Sequence, residues 1–210
     1  MQESLVWQQF QKKNNLSDEQ LEQFKRYAQL LIEWNKKFNI TTVVDLKLII
    51  QTHFQDSISV VPYVEFGSVK GIADIGTGGG FPGIPIKIMR PDVLMVLIEV
   101  NQKKGIFLRE VIQSLGLEDI QVSDLDWRTF LRKTEYPIDL FCARASLSIK
   151  ELLRMFKSGC PYADAQLVYW ASRHYTPEKA HEAYMHRTES YTVDGTERRL
   201  VFFKNAIKSR

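Results

Sequence analysis

The chain changes its hydrophobic rhythm once. Over residues 1–66 apolar positions recur at three- and four-residue steps, as a single buried helix face requires. Ser17 followed by Gln20 is a capping-box start. Leu21, Phe24, Tyr27, Ala28, Leu31 and Phe38 then mark the buried side. A second helical stretch is predicted from about Asp45 to Val61, with Leu46, Ile49, Ile50 and Phe54 on one face, and Gly67 closes the region. From Val69 onward β-rich runs alternate with helical segments. The runs are VKGIADIG, VLMVLIE, IQVS, IDLFCAR, QLVYWA and LVFFK. Between the second and third a helix is predicted from Gln102 to Leu115, with Gly116 as its cap. Apolar runs that do not alternate strictly suit strands covered on both faces. Strand–helix alternation predicts an α/β fold with a mostly parallel sheet and right-handed crossovers. The expected organisation is a helical extension, 1–66, and a sheet domain, 67–210, packed as one compact unit. No internal repeat is visible.

Composition narrows this picture only slightly. A chain of 210 residues can bury one sizeable core without disulfide or metal staples. No apolar run approaches the roughly 20 residues that span a bilayer. The first residues, MQESLVWQQFQKKNN, lack the pattern of a signal peptide, so the expected compartment is the cytoplasm. Cys142 and Cys160 read as reduced structural residues. The net charge of +3 is unevenly placed: residues 1–66 hold 7 basic against 8 acidic residues, and 67–210 hold 21 against 17. Arg198, Arg199, Lys204, Lys208 and Arg210 form a basic C-terminal edge. Such an edge suits phosphates or a solvated tail equally.

The sharpest feature is the stretch from Asp74 to Gly83, DIGTGGGFPG, directly after a predicted strand. So many glycines let backbone approach a ligand closely. In an open parallel sheet, ligands bind at the carboxyl ends of strands near the switch point. Gly78-x-Gly80-x-x-Gly83 formally fits the dinucleotide fingerprint, but Pro82 intrudes and Asp74 precedes the glycines. An acid there fits the D-x-G-x-G-x-G pattern of methyltransferases. S-adenosylmethionine has a cationic end and no pyrophosphate, and a pyrophosphate would be repelled. Glu99 ends the next strand, where a carboxylate can accept both hydroxyls of a ribose. That supports an adenosine ligand without deciding which one.

Three further stretches, with the loop's continuation, resemble the RsmG family, also called GidB. They are Leu31-Ile-Glu-Trp-Asn-Lys-Lys-Phe-Asn-Ile-Thr41, His53-Phe-Gln-Asp-Ser57 and Ala143-Arg144-Ala145-Ser146-Leu147. The loop continues as Phe81-Pro-Gly-Ile-Pro85, which is more specific than its glycines. Members are bacterial methyltransferases of guanine N7 in 16S ribosomal RNA. The resemblance implies a Rossmann-like class I fold with a central, mostly parallel, seven-stranded sheet. It implies S-adenosyl-L-methionine as cofactor and S-adenosyl-L-homocysteine as product. The expected cofactor contacts are Asp74, Gly76, Gly78, Gly80, Phe81, Glu99 and Arg144, with Trp127 and Arg128 where the family has an Ala-Glu-type pair. The chain departs from the family there, and again at Trp170–His174, where Lys-Gly is usual and Arg173 supplies the charge.

Guanine N7 carries a lone pair and no proton, so no general base is nominated, and Arg144 is the one candidate at the reacting centre. Catalysis by orientation can lower a barrier by roughly 7–11 kcal/mol. No Ser-His-Asp set, Cys-x-x-Cys or H-E-x-x-H is present, and no metal is expected. His53, His174, His181 and His186 read as structural or surface residues. Lys103, Lys104, Arg144, Arg173, Arg198 and Arg199 are candidates for phosphate contacts with RNA. The implied partner is 16S ribosomal RNA or the small ribosomal particle, with no membrane, and the chain is expected to be a monomer. Three other readings stay open: a methyltransferase of another substrate class, a dinucleotide-binding oxidoreductase, and a module that senses the cofactor without chemistry.

Overall fold

The structure, a computed structural model, describes residues 2–205. Helices α1 (Gln2–Asn14) and α2 (Asp18–Asn35) lead the chain. The Ser17 hydroxyl accepts from the Gln20 amide and the Gln20 side chain accepts from the Ser17 amide, so the predicted capping box forms. The second predicted helix is a continuous rod over 46–58, called α3. Its first turn is α-helical (Leu46–Leu48), its middle is π-helical (Ile49–Gln55) and its end returns to α (Asp56–Ile58). A π segment of i→i+5 bonds widens the turn and frequently marks a functional site.

Seven strands follow. They are β1 (Gly71–Ile75), β2 (Leu94–Ile98), β3 (Ile120–Ser123), β4 (Leu140–Arg144), β5 (Gln166–Ser172), β6 (Met185–Val193) and β7 (Thr196–Phe203). Their order in the sheet is β3-β2-β1-β4-β5-β7-β6. Strands β1 to β5 run parallel, while β7 lies antiparallel between β5 and β6. The crossovers include α4 (Gly83–Met89), α5 (Gln102–Ser114), α6 (Trp127–Lys133) and α7 (Ile149–Leu152). Gly116, at φ +61, caps the end of α5 as expected.

Six of the strands match the β-rich runs. The seventh, β6, was absent from them. Its residues alternate between half-buried and exposed, and polar side chains fill most positions. Pairing with β7 makes it a strand, not its own hydrophobicity.

The sheet separates two halves of the core. Ile72, Met95, Leu97, Leu140, Cys142, Val168 and Phe202 pack on one face with α1, α2, α3 and α5. Ala73, Val96, Phe141, Leu167, Val201 and Phe203 pack on the other with α6 and α7. Neighbouring residues of one strand thus enter opposite halves, as the two-residue repeat of a strand demands. The N-terminal helices contribute Phe10, Phe24, Tyr27 and Phe54 to the first half, so they share its core. Among the described residues no helix is long and apolar enough to cross a membrane.

Candidate active site

The strand order reverses between β1 and β4, which is where an open parallel sheet leaves a crevice at its carboxyl ends. A cavity of about 1070 Å³ lies there. One wall is the glycine loop after β1: Gly76, Thr77, Gly78, Gly79 and Phe81 border it. A side chain at Gly78 would meet almost nothing of the protein, the nearest atom being Lys104 Nζ at 3.9 Å. The backbone there is in the left-handed region, φ +61, which glycine adopts without strain. Gly83 is bare for another reason. A Cβ on it would lie 2.5 Å from Leu97 Cδ2 and 2.9 Å from Asp74 Oδ2.

Two carboxylates hold this loop from below. Asp74 is fully buried, and its Oδ2 accepts from Thr77 Oγ1 at 2.5 Å and from the Gly83 amide at 2.7 Å. Its Oδ1 has no partner. Burial pushes the carboxyl up to about 6 against those hydrogen bonds. Glu99, at the end of β2, accepts from the Gly78 amide at 2.9 Å and the Asn101 amide at 2.8 Å. Tyr27 of α2 donates its hydroxyl to the Gly79 carbonyl from the far side.

The opposite wall is built from side chains. Arg144 ends β4, and its Nη1 donates to Asp56 Oδ2 at 2.9 Å and to the Thr52 carbonyl at 3.0 Å, both on α3. Arg198 of β7 lies 3.4 Å from the same Asp56 oxygen. Tyr191 of β6 donates to Asp56 Oδ1 at 2.7 Å, and Trp170 of β5 donates Nε1 to the Asp56 carbonyl at 2.9 Å. One carboxylate, 1% exposed, thus gathers residues of β4, β6 and β7. His53 stands one turn earlier on α3. Its Nδ1 faces Arg144 Nη2 at 3.3 Å and its Nε2 faces Thr41 Oγ1 at 2.8 Å. Burial first, then the Arg144 guanidinium, push the imidazole down to about 4.

The structure brings many expected residues together and removes others. Gly76, Gly78, Phe81, Arg144, Lys104, Arg173 and Arg198 all border the cavity. So do Trp170 to His174, the stretch that departs from the family pattern. Asp74 and Glu99 do not border it; both bind loop amides. Gly80 faces inward, where a Cβ would lie 2.5 Å from the Tyr27 hydroxyl. The side chains of Trp127 and Arg128 turn to other partners. The Trp127 indole is buried against Phe130 and Phe141, and its Nε1 donates to the Glu151 carbonyl. Arg128, its side chain 60% exposed, pairs with Glu151. The Arg128 amide is taken by the Asp126 cap of α6, and neither residue is among those that border the cavity.

Lys103 and Arg199 do not border the cavity. Lys103 Nζ sits over the Phe38 ring at 5.1 Å. Arg199 follows Arg198 on a strand and therefore points to the other face. The basic C-terminal edge is not one surface. Lys204 borders a second cavity, of about 630 Å³, beside Leu140 and Gln166 at the strands' amino ends. Lys208 and Arg210 lie outside the described residues. Sequence reasoning missed Asp56, Tyr191 and the site role of His53. The one signal was the His53-Phe-Gln-Asp-Ser57 motif, whose residues now meet the Arg144 motif in space.

Comparison with known proteins fits this layout. A mutant of MtNAS solved in complex with S-adenosylmethionine superposes with a TM-score of 0.58 at 15% identity, covering 96% of this chain and 77% of that one. A human methyltransferase 10 domain containing protein gives 0.58 at 12% identity, covering 85% and 94%. At such identities the likeness concerns the fold alone, and the fold is the Rossmann-like class I methyltransferase fold. The family described as GidB: rRNA small subunit methyltransferase G matches residues 20–208, and the chain belongs to it. Ribosomal RNA small subunit methyltransferase G of Desulforamulus reducens is 39% identical over 140 residues, 66% of this chain and 58% of the relative. That of Chromobacterium violaceum is 36% identical over 140 residues, 67% and 65%. That of Clostridium botulinum is 46% identical over 107 residues, 51% and 45%. The chain thus spans about half to two thirds of the length of these relatives.

Proposed function

We propose that the chain is an S-adenosylmethionine-dependent methyltransferase of guanine N7 in 16S ribosomal RNA, working as a monomer in the cytoplasm. One observation carries this reading: a bare glycine wall at the sheet's switch point faces a wall rich in arginine across a single cavity. The residues fit an adenosyl ligand. Gly78 leaves an open approach, and the Asp74 Oδ1 atom is a buried acceptor without a partner. Each Glu99 oxygen accepts one backbone amide and has a lone pair left for a ribose hydroxyl. The adenine end has no assigned side chain, because those of Trp127 and Arg128 turn to Glu151. When bound, the cofactor supplies an electrophilic methyl group.

The chain's own residues then have three tasks. The glycine loop fixes the cofactor by backbone. Arg144, Arg173, Arg198 and Lys104 attract a polyanion, and Asp56 and Glu197 offset only part of their charge. The walls keep water from the reacting atoms and hold them in line. No residue has to take a proton, and a His53 that stays neutral at pH 7 agrees with that. The test is transfer of labelled methyl into small ribosomal particles, and into naked RNA, from a strain lacking the enzyme. Mass mapping should find one new 7-methylguanine. No label in either substrate, or label on another base, overturns the reading.

A further inference from the structure

Three aromatic rings run in a nearly parallel file from the core to the cavity. Tyr27, fully buried, lies 5.4 Å from Phe81 with 23° between the ring planes. Phe81 lies 4.5 Å from His53 at 24°. His53 is the last of the file. It is half-buried, it borders the cavity, and among the described residues no ring but Phe81 stacks on it. The three rings come from α2, the glycine loop and α3, so the file joins both walls of the site.

The terminal ring is fixed in its plane. Arginine can only donate, so His53 Nδ1 accepts from Arg144 and the ring proton resides on Nε2, which donates to Thr41 Oγ1. Rotation would break both hydrogen bonds. We infer that the open face of His53 is the seat of a planar nucleobase, which joins the file as its fourth ring. This rests on the RNA reading above and deepens it, because it says where the target base lies. A sequence-tolerant stack of this kind is worth about 5- to 150-fold in affinity per base. A neutral imidazole also suits the product. Methylation at N7 leaves the base cationic, and an imidazolium beneath it would repel it. Arg144, Asp56 and Arg198 are the charged groups that face the ring, and the Arg144 hydrogen bond already determines its tautomer.

Two measurements test the seat. In the first, the His53 ring protons are followed by NMR as guanosine monophosphate is added, with ribose 5-phosphate as the control. The nucleotide should shift them upfield and the sugar phosphate should leave them in place. Equal shifts from both, or none from either, overturn the inference. In the second, His53→Ala and His53→Phe are compared in methyl transfer to ribosomal RNA. Alanine removes the plane, and KM for RNA should rise about 10-fold or more. Phenylalanine keeps the plane without the hydrogen bonds, and KM should stay within about threefold of the parent. Affinity for S-adenosylhomocysteine should hold in both. Equal losses in the two variants would assign the effect to the hydrogen bonds and overturn the seat. If His53→Phe does not fold, the titration decides. Wild-type protein that leaves RNA unlabelled while guanosine monophosphate still shifts His53 would sink the RNA reading and leave the seat standing.

Discussion

The two walls of the cavity are built on opposite principles. The glycine loop offers backbone and almost no side chain, and its supports, Asp74, Glu99 and Tyr27, are hidden beneath it. The α3 wall offers side chains, and its support is a single buried carboxylate shared by Arg144 and Arg198. A backbone wall is shaped by what is absent, so substitution damages it by adding atoms. A side-chain wall is shaped by paired charges, so substitution damages it by leaving a partner alone. The first kind suits an invariant small ligand. The second can be tuned residue by residue toward a larger one.

The largest effect should come from the charged wall. Asp56→Ala strands two guanidiniums, one of them on a side chain only 16% exposed. Breaking a buried pair by deleting one member costs about 3–5 kcal/mol. Urea unfolding should show a loss near the lower end, because Arg198 is partly solvated. A loss under about 1 kcal/mol would class the cluster with surface pairs, and the contrast between the walls would fail.

Next comes the bare wall. Gly78→Val forces a β-branched residue into a left-handed backbone, at a cost of about 1–2 kcal/mol. It should remain folded, since the nearest protein atom to the new Cβ is 3.9 Å away. Its affinity for S-adenosylhomocysteine should fall about 100-fold or more, which is about 2.7 kcal/mol. Calorimetry that finds unchanged affinity on a folded variant would remove the loop from the ligand's path.

The same contrast explains what could be read in advance. Glycine in a row after a strand is a property of sequence, so the loop and its place at the sheet's edge were legible. Leu21, Phe24 and Tyr27 were legible as a buried face, but not that the Tyr27 hydroxyl would hold a loop 52 residues away. The π turns of α3 have no composition signal. They aim His53 and Asp56 at β4, so a histidine that reads as structural becomes a cavity wall. Asp74 and Glu99 were singled out for the ligand, but that both also bind loop amides was not legible, because sequence does not show which backbone groups a carboxylate meets. Trp127 and Arg128 were chosen by following a family position whose residue types had changed, and their side chains turn away from the cavity. An indole and a long cation find other partners in the core and on Glu151.

A smaller effect separates ring from hydroxyl in the support of the bare wall. Tyr27→Phe keeps the stack on Phe81 and deletes the donor to Gly79, leaving a buried carbonyl without its partner. The expected loss is about 1–2 kcal/mol in urea unfolding, with the His53 ring signals unmoved. If those signals shift, the hydroxyl also orders the file of rings, and the two walls are less separate than their construction suggests.

The smallest effect compares the walls through their protons. His53 titrates near 4 when folded, below the usual 6.5, so it adds stability that is present above 6.5 and lost as pH falls through 4. Asp74 titrates near 6, above the usual 3.8, so it adds stability that is present below 3.8 and lost as pH rises through 6. Each contribution is about 3 kcal/mol, and the signs oppose. Between pH 4 and 6.5 the two should nearly cancel, leaving a net slope from this pair worth less than about 1 kcal/mol. His53→Phe removes one side of the balance. Relative to the parent, its stability should fall as pH rises from 4 to 6, as measured by urea unfolding at matched ionic strength. Parallel curves for parent and variant would mean that the imidazole titrates normally. Burial and the Arg144 guanidinium would then not be holding its proton affinity down.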